Sequence, residues 1–93
     1  MNEQTEERRI RPVVKRCFNL RLETKMPLMI GEAIGSAAEV ARAIPGIDYV
    51  VFQFNQVEIQ VAASGVAIEY QGADPIAIWL RDPMTSELVR RSL

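Results

Sequence analysis

Histidine is absent from the 93 residues. With it go the usual general base, the usual activator of a nucleophile and the commonest transition-metal ligand. The glutamates offer no spaced pair resembling a general acid and base, and no carboxylate cluster has the spacing of a metal loop. A catalytic role is therefore not expected, nor a cofactor or a metal. The single cysteine, Cys17, cannot close an intrachain disulfide. A short chain without a cysteine framework reads as intracellular, and its thiol as inert. The apolar runs fall far short of the roughly 18 residues of a membrane span, and the charged start has no signal-peptide core. The expected compartment is the cytoplasm. A net charge of −1 gives no overall attraction to nucleic acid.

What is present suits one small domain. Hydrophobic residues make up 48% and charged residues 25%, which separates the chain from disordered ones. A chain this short has a thin core, so docking against a partner or a second copy adds useful apolar burial. Residues 1–11 read as a flexible charged arm and 12–93 as a single α+β domain. From Val13 to Leu22 apolar residues alternate, with Val14, Phe18, Leu20 and Leu22 on one face and Cys17, Asn19 and Arg21 on the other, the mark of a half-buried strand.

Met26-Pro27 is expected to open a helix. Its apolar stripe is Ile30, Ala33, Ile34, Ala37, Val40, Ala41 and Ile44, and Pro45-Gly46 ends it. Two turns then organise a meander over 48–54, 57–63 and 66–71. A two-residue turn at Asn55-Gln56 sets Phe54 opposite Val57, Phe52 opposite Ile59 and Val50 opposite Val61. A second two-residue turn at Ser64-Gly65 sets Val61 opposite Ile68 and Ile59 opposite Tyr70. Both tyrosines, Tyr49 and Tyr70, read as packing residues.

Residues 76–81 fit either a short helix capped by Asp74-Pro75 or a strand. The strand is favoured, because it aligns Ile78 with Ile68 and Trp79 with Ala67. Asp82-Pro83 is expected to cap a final helix with Met84, Leu88 and Val89 inward and Arg90 and Arg91 near its end. The expected fold is α+β: a mainly antiparallel sheet of four to five strands with helices on one face, in the order β-α-β-β-β-(β)-α. The strand Lys15–Leu22 and the helix after it resemble the opening of ribbon-helix-helix repressors. The run from Ile34 to Val61 is similar to the helix-then-hairpin half of ferredoxin-like domains, without the CxxC of the metal-carrying members. Both likenesses concern the order of elements and assign no residue a role.

Three features suggest surfaces. With the expected register, the outer sheet face carries Val51, Gln53, Gln60, Ala62, Ala67, Trp79 and Arg81, a flat patch in which a tryptophan beside an arginine has the composition of an interface anchor. Gly31, Gly35 and Ala38 form a smooth strip on the helix, suited to close packing on its own sheet or on another helix. Its glycine spacing is not that of a phosphate loop. Charge is also uneven: seven basic residues against Glu23 between Arg8 and Lys25, then six acids against Arg42 from Met26 to Ile76. Among the former, Arg8, Arg9, Arg11, Lys15, Arg21 and Lys25 are candidate phosphate contacts. The leading expectation is a non-enzymatic protein–protein interaction or modulator domain that self-associates as a homodimer, with no membrane partner. The alternative is a nucleic-acid-binding regulator that uses residues 8–25.

Overall fold

The computed structural model describes residues 17–20 and 29–93. One helix and six strands follow the order β1 (Cys17–Asn19), α1 (Ile30–Ala43), β2 (Tyr49–Phe54), β3 (Val57–Ala62), β4 (Ala67–Gln71), β5 (Asp74–Arg81) and β6 (Leu88–Ser92). They build one open sheet in the spatial order β1-β2-β3-β4-β5-β6. Only β1 and β2 run parallel, as strands joined through a helix do; every later pair is an antiparallel hairpin. The fold is α+β; the described residues hold one helix and six strands, where helices in the plural and four to five strands were expected.

The sheet-facing side of α1 consists of Ala33, Ile34, Ala37, Ala38 and Ala41. Four of these five are alanines, so the helix axis sits close to the sheet and the larger side chains opposite fill the space between. Those side chains are Val50 and Phe52 of β2 and Ile59 and Val61 of β3, all buried, and Ala67 of β4 completes the cluster. Glu32, Ser36, Glu39 and Ala43 face water, as the periodicity predicts. The amide of Ile44 still donates to Val40 O at 3.1 Å. Pro45 and the positive φ of Gly46 (80°) then turn the chain away from the helix. The helix begins at Ile30, with Met29 extended as its cap, and so later than the start expected at Met26-Pro27; those two residues, like 1–16, lie outside the described ones. Within β1 Phe18 pairs with Val50, and just past its end Leu20 packs against the core, the face expected for them.

The first hairpin matches expectation. Asn55 and Gln56 both take positive φ, 47° and 70°, which is the type I′ turn that suits strand twist, and Phe54, Phe52 and Val50 pair with Val57, Ile59 and Val61. At the second hairpin the structure departs by one residue. The loop holds three residues, Ala63, Ser64 and Gly65, closed by Ala62 N to Val66 O and Gly65 N to Ala62 O, each 2.9 Å. Gly65 has φ of 94°, the left-handed final position of a three-residue hairpin loop. Arg42 at the end of α1 donates to Ala63 O at 2.8 Å and ties this loop to the helix. Consequently Val61 pairs with Ala67, Gln60 with Ile68, Ile59 with Glu69 and Glu58 with Tyr70. A shift of one residue reverses every side chain of the shifted strand. Ile68 and Tyr70 therefore leave the helix side, where they were expected, and Ala67 and Glu69 take their places.

The β4–β5 hairpin carries this reversed facing onward. Gly72 (φ 62°) opens its two-residue turn, and a bulge beside Glu69 and Tyr70 restores the expected pairing of Ile68 with Ile78 and Ala67 with Trp79. Residues 76–81 are indeed strand. The final helix expected after Asp82-Pro83 is instead the strand β6, antiparallel to β5. The carboxylate of Asp82 accepts from the amides of Met84 (2.7 Å) and Thr85 (3.3 Å) as a helix cap does. Ser86, at φ of 62°, then reverses the chain and returns Glu87 O to Asp82 N at 2.8 Å. An aspartate that binds amides two and three residues ahead serves a tight loop as well as a helix.

A Cβ built on Gly35 or on Gly65 meets nothing within 4 Å, so only backbone conformation separates the two sites. Gly35→Ala is expected to raise stability by about 0.5–1 kcal/mol, as in any helix interior. Gly65→Ala is expected to lower it by about 1 kcal/mol, because the alanine must enter the left-handed region. Urea denaturation of both variants checks the opposite signs.

Candidate interaction surface

The facing of β4 decides what the sheet shows to water. Strand pairing lines up one row of side chains across the face turned from α1: Asn19, Val51, Gln60, Ile68, Ile78 and Arg91. A parallel row contains Cys17, Tyr49 and Ala62, continues through Val66, and ends with the pair Leu80 and Val89. A third row is Gln53, Glu58, Tyr70 and Pro75. No described element covers this face. Val51 is buried within it, and Ile68, Tyr70, Ile78, Leu80 and Val89 are half-buried. A groove of about 300 Å³ runs along its β2–β4 part, lined by Asp48, Tyr49, Gln60, Ala62, Val66, Ile68 and Tyr70. The phenol of Tyr49 is held above its ordinary pKa, foremost by burial and then by the Cys17 thiol beside it.

The side facing α1 is different in kind. The helix packs on β2 and β3. Further along the sheet Glu69 is 4% exposed and projects between strands, where an apolar residue was expected. It is fully engaged. Trp79 Nε1 donates to its Oε1 at 2.6 Å, and Arg90 Nε and Nη2 donate to Oε1 at 2.8 Å and to Oε2 at 3.2 Å. Such a forked pairing is the strongest arrangement an arginine makes with a carboxylate. The Arg90 guanidinium holds the Glu69 carboxyl below the usual carboxylate range; burial opposes this, and the indole N–H assists. The three residues come from β4, β5 and β6, so this cluster fastens the strands that the helix does not reach.

The seven residues expected to form one patch are thus divided. Val51, Gln53, Gln60 and Ala62 lie on the open face; Ala67, Trp79 and Arg81 lie on the helix side, moved there by the extra loop residue. Ala67 is core, Trp79 is committed to Glu69, and Arg81 donates to Ser86 O at 2.9 Å. In their stead the structure brings Ile68, Tyr70, Ile78, Leu80, Val89 and Arg91 to the open face. A signal for this was present in Ala63-Ser64-Gly65, since glycine at the third position of a hairpin loop is as good a turn as glycine at the second. Of the helix strip, Ala38 is core, whereas Gly31 and Gly35 touch no neighbouring element closely. The candidate phosphate contacts Arg8, Arg9, Arg11, Lys15, Arg21 and Lys25 lie outside the described residues.

Among the described residues no group of three or more acids and cysteines is placed to hold a metal ion, and no helix is long and apolar enough to cross a membrane. The chain matches no family model, no curated protein and no solved structure.

Because the Glu69 pKa is lowered in the folded state, its contribution is complete above the ordinary glutamate pKa of about 4.3 and is lost as pH falls through the lower folded value. Glu69→Gln is expected to cost about 1.5–3 kcal/mol at pH 7, the range for hydrogen bonds to a charged group. It should also flatten the decline of stability on the acid side. Thermal melts of both proteins across the acid range check the cost and the slope.

Proposed function

We propose that this chain is a non-enzymatic protein-interaction domain that meets its partner through the open face of the sheet. The observation that carries this reading is the outward facing of β4 and its neighbours. Ile68, Tyr70, Ile78, Leu80 and Val89 stand on a contiguous surface with few charges, while the adjacent strand positions place a carboxylate inside. A small domain with a thin core has much to gain by burying those side chains, and contiguous apolar surface of this kind characterises contact sites. Tyrosine at the groove and polar Gln53, Gln60 and Glu58 at its margin match the usual plan of an apolar centre with a polar rim.

The nucleic-acid reading rests on residues 8–25. Of the described arginines, Arg42, Arg81 and Arg90 already donate to Ala63, Ser86 and Glu69 within the chain.

A photoreactive amino acid placed at Ile78 in the native host is expected to form covalent adducts with a protein. The same group at Ser36, on the outer side of α1, should form none. Equal labelling at both positions, or none at Ile78, would sink the reading.

A further inference from the structure

Resting on that reading, we propose that the partner of the open face is a second copy of this chain, packed sheet to sheet about a twofold axis that runs along the strands between β4 and β5. The argument lies in the order of side chains across the face. In the central row the sequence is Gln60 on β3, Ile68 on β4, Ile78 on β5 and Arg91 on β6. A twofold axis between Ile68 and Ile78 reverses that row, so that Ile68 meets Ile78 of the other copy and Gln60 meets its Arg91. The neighbouring row behaves alike: Val66 falls on Leu80 and Ala62 on Val89, a small residue against a larger one. Apolar side chains therefore meet apolar ones at the centre, and polar groups meet at the flanks.

Charge supports the same copy-to-copy register. Among the described residues of β3 to β6, Glu58 and Arg91 are the charged side chains on this face. Arg91 stands one strand out from the isoleucine pair in its own row, and Glu58 one strand out on the other side, in the next row beside Tyr70. Among the described residues Glu58 accepts from Gln60 Nε2 at 3.0 Å, and Arg91 makes no ion pair. The Gln60–Glu58 pair of one copy is thus presented to Arg91 of the other, twice per dimer. A second copy sets Arg91 over Gln60 by symmetry, with Glu58, the hydrogen-bond partner of that glutamine, two residues away along the same strand. Aligned packing of two sheets at about 10 Å, crossed by about 30°, leaves an arginine side chain the length to reach either acceptor.

Sedimentation equilibrium of the full chain across micromolar concentrations at low salt tests the proposal. The wild type is expected to dimerise and Ile78→Asp to remain monomeric. Arg91→Glu and Glu58→Arg should each weaken association about tenfold or more, because each juxtaposes like charges. The double exchange, Glu58→Arg with Arg91→Glu, should restore most of the lost affinity. Circular dichroism melts confirm that each variant is folded; the two charge variants alter rim positions and keep the test valid even where Ile78→Asp does not fold. A monomeric wild type, a dimer indifferent to either charge reversal, or a double exchange no better than the singles would overturn the proposal. A monomer that still forms adducts with another protein at Ile78 overturns the dimer alone. A monomer without adducts ends the interaction reading as well.

Discussion

A left-handed backbone at Gly65 closes a hairpin loop of three residues, and the facing of three strands follows from that closure. Pairing across a sheet transmits parity: once Ala67 sits opposite Val61, the side chains of β4, and through it those of β5 and β6, are assigned to one face or the other. Arg42 reaches from α1 to the carbonyl of Ala63 and holds the loop against the helix that the same strands must pack beneath. The facing of β4 to β6, relative to the core that β2 and β3 carry, is therefore set by one turn.

That parity has a cost and a compensation on opposite sides of the sheet. On the helix side it buries Glu69, which is tolerable only because Arg90 and Trp79 satisfy the carboxylate completely. On the other side it places Ile68, Ile78, Leu80 and Val89, half-buried, on a face that no described element covers. Proteins that break the inside–outside rule on both faces of one strand generally do so where the exposed side has something to meet. The two departures from the rule support the same reading, one because the inward polar group is properly housed, the other because no described element covers the opposite surface.

Much of this was legible from the residues. The helix stripe of alanines and isoleucines, the Asn55-Gln56 turn with its register, the strand at 76–81 and the facing of Phe18 followed from periodicity and turn chemistry. What escaped was decided by non-local partners. The alternation of Val66, Ile68 and Tyr70 favours burying that set, and only the pairing of Glu69 with an arginine 21 positions later makes the opposite facing affordable. The last segment escaped for a different reason: Asp82 makes the same bonds at the start of a helix and at the start of a tight loop, and the positive φ of Ser86 that separates the two leaves no strong mark in the residue type. The candidate surface was accordingly half legible, with Val51, Gln53, Gln60 and Ala62 read on the correct face and Ala67, Trp79 and Arg81 on the wrong one.

The sheet's strand order runs in simple numerical sequence, and this bears on how the chain acquires its shape. From β2 onward each strand finds its neighbour across a short connection, so those contacts close small loops and cost little chain entropy. β1 alone must wait for a partner that lies beyond α1. Such a molecule can zip outward from the Asn55-Gln56 turn and add its parallel strand at the end, and the sheet's other margin carries Arg90, Arg91 and Ser92, residues that discourage a stray strand from extending the ladder.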